Sequence, residues 1–157
     1  MHPWWGIALQ SIALASCCAG RSLRQAAEDV LAAIETGDLE TARSQLGMYV
    51  GRDTHKLTIP DIYRAILETI TENAIDGVMA PLFYAIVGAV IPAIGPVPLA
   101  MAYKAASTLD SMVGYRREPY ADLGWCSAKS EDLLTWLPCR LTVLTLSIIS
   151  GNPLAVW

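Results

Sequence analysis

Charge is scarce in this sequence, and the charge that is present leaves no basic footprint. Only 17% of the 157 residues are Asp, Glu, Lys or Arg, 54% are apolar, and the net charge is −4. No Lys/Arg cluster is interleaved with aromatics, so nucleic acid is not an expected partner. The common nucleotide and hydrolase signatures are missing too. There is no G-x-x-x-x-G-K-[ST], no Gly-rich phosphate turn after a strand, no H-E-x-x-H and no G-x-S-x-G. Four cysteines are too few and too scattered for a disulfide framework. Cys17 and Cys18 are adjacent, Cys126 and Cys139 stand alone, and no C-x-x-C pair occurs. Neither His2 nor His55 has a partner at metal-ligand spacing. Small buried residues are the expected reading of these thiols, and a reducing, cytoplasm-facing compartment is compatible with it.

What the chain has instead is apolar length. Soluble domains run nearer a quarter charged, so this balance and a mean hydropathy of +0.38 lean toward a bilayer. Apolar blocks at 4–19, 78–103 and 137–157 alternate with polar helical stretches at 20–77 and 104–136, read together as one membrane-associated domain, 1–157. The first block ends in small residues, as a signal peptide does, but no Lys or Arg precedes Arg21. It is therefore expected to be the end of a membrane helix, with Trp4-Trp5 at an interface.

The first polar stretch divides into helices. Ser22 is an expected N-cap before the i, i+3, i+4, i+7 series Leu23, Ala26, Ala27, Val30, Leu31, Ile34. Gly37 stops that helix, and Asp38 starts a second through Leu39, Ala42, Leu46 and Tyr49. Gly51–Thr54 is a turn. Pro60 sits in the first turn of a third helix, with Ile62, Tyr63, Ile66 and Ile70 on one face. The uncharged block 78–103 has the length to span a bilayer, which takes roughly 20 residues. Pro92, Gly95, Pro96 and Pro98 nevertheless crowd its second half, and a continuous helix should not run through them.

Chemistry-capable residues flank that block. Glu68, Glu72 and Asp76 recur at i, i+4 on the third helix, with Asn73 beside them. Like charges at this spacing repel by a few tenths of a kcal/mol or so. A solvated face has this pattern, and so does a Mg²⁺ site, because hard cations take carboxylate oxygens and bridge to phosphates. The stripe ends at Gly77, against apolar sequence where uncompensated acids are costly. Beyond the block, Lys104 and Arg116 could meet phosphates and Asp110 a metal; snorkelling of Lys104 and Arg116 at a membrane surface is the alternative. The residues alone imply a membrane protein suited to a phosphate substrate and Mg²⁺.

Several blocks resemble a known family. V-G-R-D-T at Val50–Thr54, E-T-I-T-E-N-A-I-D-G at Glu68–Gly77, A-P-L-F at Ala80–Phe83, A-Y-K-A-A-S-T-L-D-S-M-V-G-Y-R at Ala102–Arg116 and W-L-P-C-R-L-T at Trp136–Thr142 are similar to the CobD/CbiB family. Its members are adenosylcobinamide-phosphate synthases of cobalamin biosynthesis. The resemblance runs from about Arg21 to Thr142, and its most specific part is T-L-D-S-M-V-G-Y-R.

The resemblance implies a multi-pass cell-membrane enzyme with a cytoplasmic active face. It would join a propionate carboxylate of adenosylcobyric acid to the amine of an aminopropanol phosphate, using ATP and Mg²⁺. Glu72, Asp76 and Asp110 would hold the metal. Arg52, Lys104 and Arg116 would contact phosphates, with Asn73 and Arg140 as further substrate-side residues. Glu68 or Asp53 would relieve the amine of its proton. The bilayer, a second copy and other cobalamin-synthesis enzymes are the implied partners.

The chain departs from the family pattern at Ser107, at Lys129-Ser130-Glu131-Asp132 and at Thr135-Trp136, and family members are much longer. A fragment, a short form and half of a split enzyme are all compatible with that length. A non-catalytic membrane scaffold is the alternative function. A transporter-like bundle is disfavoured, because 78–103 holds no intramembrane charge.

A shared site also constrains the fold. If 78–103 crossed once, Glu72 and Asp76 would be separated from Lys104 and Asp110 by about 30 Å of hydrocarbon. A turn at Pro92–Pro98 instead leaves arms of some 10–14 residues, about 15–21 Å of helix. The expected fold is therefore an all-α membrane bundle with amphipathic helices at the membrane surface and a proline-broken re-entrant hairpin.

Overall fold

The computed structural model describes residues 3–114, 122 and 124–151. Among them the regular structure is entirely helical: α1 (Pro3–Cys17), α2 (Gly20–Glu35), α3 (Leu39–Gly47), α4 (Ile59–Ala74), a π-helical turn (Ile75–Met79), α5 (Ala80–Val90), α6 (Pro96–Val113) and α7 (Trp125–Ser150). The helices gather into two compact units. Ala19–Ala74 form one, and the segments before and after it form the other.

In the first unit, α2, α3 and α4 close on one apolar core. Val30 and Ala33 of α2, Ala42 and Leu46 of α3, and Ile62, Ala65 and Ile66 of α4 are buried, with Ile34, Leu39 and Ile70 packed around them. Each large aliphatic buried there contributes roughly 1.5–3 kcal/mol. The turn between α2 and α3 follows the sequence expectation. Gly37 takes φ +78°, a conformation that costs glycine little. Asp38 then caps α3, its Oδ1 accepting the Thr41 N–H at 2.9 Å. Pro60 lies in the first turn of α4, where the Thr58 N–H donates to Asp61 Oδ2 at 3.1 Å. Ser22 is not a cap. The Leu23 N–H already bonds to the Ala19 carbonyl at 3.1 Å, so α2 starts at Gly20 and Ser22 lies inside it.

The second unit is built on a helical hairpin. α5 ends at Val90, the chain turns through 91–95, and α6 starts on Pro96 with Gly95 at φ +84°. The two helices run antiparallel, since Gly88 lies opposite Gly95 and Pro96 while Tyr84 stacks on Tyr103 at 5.1 Å. A Cβ on Gly88 would sit 2.9 Å from the Gly95 carbonyl carbon and 3.0 Å from Pro96 Cα, so only glycine allows this approach. The expected turn is therefore present and α5 has the expected length, but α6 is longer than expected. α5 has 11 residues, about 16 Å, while α6 has 18, about 27 Å, and runs past Tyr103 without interruption. The loss of apolar character at Lys104 does not end a helix, because Lys and Ala are good helix formers.

Two helical runs, Ile59–Val90 and Trp125–Ser150, are long and apolar enough to cross a membrane by length and composition. The 32-residue run is longer than expected because α4 and α5 are joined through the π-helical turn instead of separated at Gly77. α7 likewise starts 12 residues before the predicted block at 137 and passes through Pro138. Proline cannot donate to the carbonyl four residues back. The Tyr84 hydroxyl of α5 fills that gap, donating to the Leu134 carbonyl at 2.9 Å. Trp4, Trp5 and Ile7 on α1 and Leu133, Ile148 and Ile149 on α7 are exposed. Outward apolar side chains of this kind fit a helical membrane bundle.

Candidate functional site

Unit 19–74 carries an open cleft of about 290 Å³, lined by Tyr49, Val50, Gly51, Arg52, Glu68, Thr69, Glu72 and Asn73. One wall is the 48–58 loop, held by its own polar contacts. The Thr54 hydroxyl, buried, donates to the Arg43 carbonyl at 2.9 Å. The Arg43 guanidinium donates from Nε and Nη2 to the Leu57 carbonyl at 2.9 and 2.8 Å. Tyr49 is held by its hydroxyl bond to Asp29 Oδ2 at 3.0 Å.

So anchored, the loop brings Arg52 Nη2 to Glu68 Oε2 at 3.0 Å. Both side chains are more than half exposed, so the pair contributes no more than about 1 kcal/mol and an incoming anion can displace it. Asn73 donates to the Thr69 carbonyl at 2.8 Å. Glu72 lies one turn beyond Glu68. The cleft thus gathers four sequence-predicted residues: Arg52, Glu68, Glu72 and Asn73. Asp53 is not among its lining residues; on the exposed turn its Oδ1 accepts the His55 N–H at 2.9 Å.

The other unit gathers a second polar cluster from three elements. The π-helical turn supplies Asp76, α6 supplies Tyr103, Ser107 and Asp110, and α7 supplies Glu131. Residues 103, 107, 110 and 114 recur at helical spacing and so share one face of α6. Tyr103 is 2% exposed, and its hydroxyl, beside Ser107, makes no hydrogen bond of ordinary geometry. It lies within electrostatic reach of Asp76 and Glu131, and Glu131 within that of Asp76 and Asp110. Asp110 Oδ1, Glu131 Oε1 and Ser127 Oγ are buried acceptors without partners.

The Asp110 carboxyl rests against Gly114, where any Cβ would collide with it. Burial, and then the charge of Asp132, hold that carboxyl above its ordinary range. Glu131 escaped the sequence reading. The signal the sequence offers for it is the adjacent acidic pair Glu131-Asp132.

The remaining predicted residues lie elsewhere. Lys104 occupies a different face of α6, in an apolar groove with Met101, Thr108, Leu109 and Met112, and it acts electrostatically on Cys17. Arg140 stacks its guanidinium over the Trp136 ring at 4.0 Å. Arg116 lies outside the described residues. Among the described residues no three His, Cys, Asp or Glu side chains are gathered closely enough to hold a metal ion.

An all-helical chain with bilayer-length apolar helices and acid-rich polar clusters defines a class of membrane-associated proteins. The comparisons narrow it. All of residues 1–157 match the family model described as CobD/Cbib protein. The chain is 58% identical over 157 residues to a cobalamin biosynthesis protein CobD of Synechocystis sp., covering all of this chain and 46% of that relative. It is 46% identical over 147 residues to a CobD of Photorhabdus laumondii, covering 94% of this chain and 44% of the relative. With the CbiB of Salmonella typhi it shares 44% over 151 residues, 96% and 45% of the two chains. The chain belongs to the CobD/CbiB family, and the match extends beyond the Arg21–Thr142 span seen in the motifs. It covers just under half the length of these relatives. No solved structure matches it.

Proposed function

We propose that this chain supplies part of an adenosylcobinamide-phosphate synthase, forming an amide between adenosylcobyric acid and an aminopropanol phosphate at the expense of ATP. The observation that supports this most is the family match across all 157 residues to proteins named for cobalamin biosynthesis. The reaction matches the residues present. A carboxylate is a poor electrophile, so transfer of a phosphoryl group from ATP converts it into an acyl phosphate. The amine attacks the acyl carbon, the C–O bond to phosphate breaks, inorganic phosphate leaves and the nitrogen loses a proton. Charge accumulates mostly on phosphoryl oxygens, so positioned cations and donors contribute most of the acceleration.

In this reading the cleft is the phosphate side of the reaction. Arg52 exchanges Glu68 for a phosphate oxygen, which a planar guanidinium can grip through two N–H groups. Released Glu68 becomes an acceptor for the amine proton. Glu72 and the Asn73 amide carry the carboxylate and carbonyl oxygens available to Mg²⁺, a cation that usually takes only one or two carboxylates and completes its shell with water and phosphate. Mg²⁺, when bound with ATP, would neutralise charge on the phosphates. The scaffold reading is supported by the departures from the family pattern at Ser107, Lys129 and Thr135.

The test is ATP-dependent phosphate release in the presence of both organic substrates. Arg52→Ala should lower kcat/KM by about 100-fold, the scale of one lost charge-assisted phosphate contact in the transition state. Unchanged kcat/KM in that variant would remove Arg52 from the site. Corrinoid binding without any ATP turnover would favour the scaffold.

A further inference from the structure

We propose that Trp136 and Arg140 of α7 clamp the phosphate of a bilayer phospholipid, with anionic lipid preferred, and thereby set how deep the C-terminal half of α7 lies.

Arg140 is an exposed cation on an otherwise apolar face. Leu133, Leu137, Leu141, Leu144 and Ile148 are exposed beside it and recur every three or four residues, so they form one strip along the helix. No charged residue occurs from 141 to 157. On the other side, the exposed Lys129–Asp132 pair at 3.2 Å gives the N-terminal part of α7 a polar surface. The guanidinium thus falls where the helix changes from polar to apolar.

A guanidinium is costly in hydrocarbon, and long cationic side chains on membrane helices reach toward the nearer interface. Arg140 reaches one turn back toward the N-terminus. Its guanidinium carbon lies 4.0 Å from the centre of the Trp136 ring, and Nη1 donates to the Trp136 carbonyl at 3.4 Å. Trp136 is 55% exposed, and tryptophan is enriched at membrane–water interfaces. The stretch of α7 beyond Arg140, 141–150, makes about 15 Å of helix, the depth of one leaflet of a hydrocarbon core about 30 Å thick.

The ligand chemistry follows from what the guanidinium does not meet. Among the described residues Arg140 forms no ion pair, and it lines neither the cleft of Arg52 nor the groove of Lys104. Its planar fork matches two oxygens of a phosphate. A lipid phosphodiester supplies those oxygens at this level and lays its acyl chains along the Leu137–Ile148 strip. A soluble phosphate would match the fork and leave the strip bare.

The experiment uses the purified full chain in detergent, mixed with phosphatidylglycerol or phosphatidylcholine and read by native mass spectrometry. The wild type should retain phosphatidylglycerol in preference. Arg140→Gln should weaken that retention about tenfold or more, the scale of one charge-assisted contact. Arg140→Lys, which keeps the charge and loses the fork, should fall between the two. Trp136→Leu, which removes the ring under the guanidinium, should weaken retention by roughly two- to fivefold. Glycerol 3-phosphate, a phosphate without acyl chains, should not displace the lipid at matched concentration.

Equal retention by the wild type and Arg140→Gln would overturn the clamp. Displacement by glycerol 3-phosphate would do so too, by making this a soluble-phosphate site. A raised KM for aminopropanol phosphate in Arg140→Gln, with lipid retention unchanged, would place Arg140 on the substrate side instead. A lipid-free dimer of the wild type that Arg140→Gln dissociates would give the face to a second copy of the chain. Both Arg140 variants should unfold at the wild-type midpoint; lipid loss with a lowered midpoint in both would mark a structural role and overturn the clamp equally.

Discussion

Tyr84 and Pro138 are 54 positions apart, and nothing near either one in the sequence points to the other. They meet because proline leaves the Leu134 carbonyl without a helical donor and the Tyr84 hydroxyl supplies one. Replacing Tyr84 by Phe keeps the ring stack on Tyr103 and strands that carbonyl, so the variant should lose about 1–3 kcal/mol in a detergent unfolding titration. Asp110 is a residue whose environment sets its charge. Its carboxyl is held above the ordinary range, so the folded chain binds that proton more tightly than the unfolded chain. The contribution to stability is therefore full below the unfolded value of about 3.9 and is lost as pH rises through the folded one. Asp110→Asn should accordingly gain in unfolding midpoint over the wild type as pH is raised, and the gap should close toward pH 4. A constant offset across that range would contradict the environment described.

At the level of elements, the hairpin was legible because proline and glycine act locally. Pro92, Gly95 and Pro96 exclude a continuous helix whatever surrounds them, and the turn falls there. Gly88 was not legible, because its role is set by what lies opposite, the Gly95 carbonyl and Pro96. Gly88→Ala would push on backbone rather than on a yielding side chain, so a loss of about 3 kcal/mol is expected, the upper end for overpacking. Limited proteolysis at the 91–95 turn should report it as faster cleavage. Element ends were read least well. α6 and α7 each carry their helix across a polarity boundary, at Lys104 and at residue 137, because backbone hydrogen bonding continues where hydropathy changes.

For the whole chain, composition alone separated a bilayer protein from a soluble one. Outward-facing Trp4, Trp5, Leu133, Ile148 and Ile149 add the geometric counterpart. The chain expressed in cells should therefore stay with the membrane pellet through an alkaline carbonate wash and be released only by detergent. Release by carbonate alone would reduce it to a peripheral protein.

Sequence by itself determined the helical class, the core stripes of α2 to α4, the Gly37–Asp38 junction, the break at 91–95 and the family. These depend on short-range rules of periodicity, capping and backbone freedom, or on motifs that sit contiguously in the chain. Tertiary structure decided which of the acids and bases keep company. Arg52, Glu68, Glu72 and Asn73 line one cleft because Thr54 and Arg43 hold a loop. Asp76 and Asp110 come within electrostatic reach of Glu131 because α6 and the π-helical turn both pack on α7. Lys104, six residues before Asp110, is turned away from it by helical geometry alone: six steps of 100° end well round the helix, and seven steps, from Tyr103, come nearly full circle.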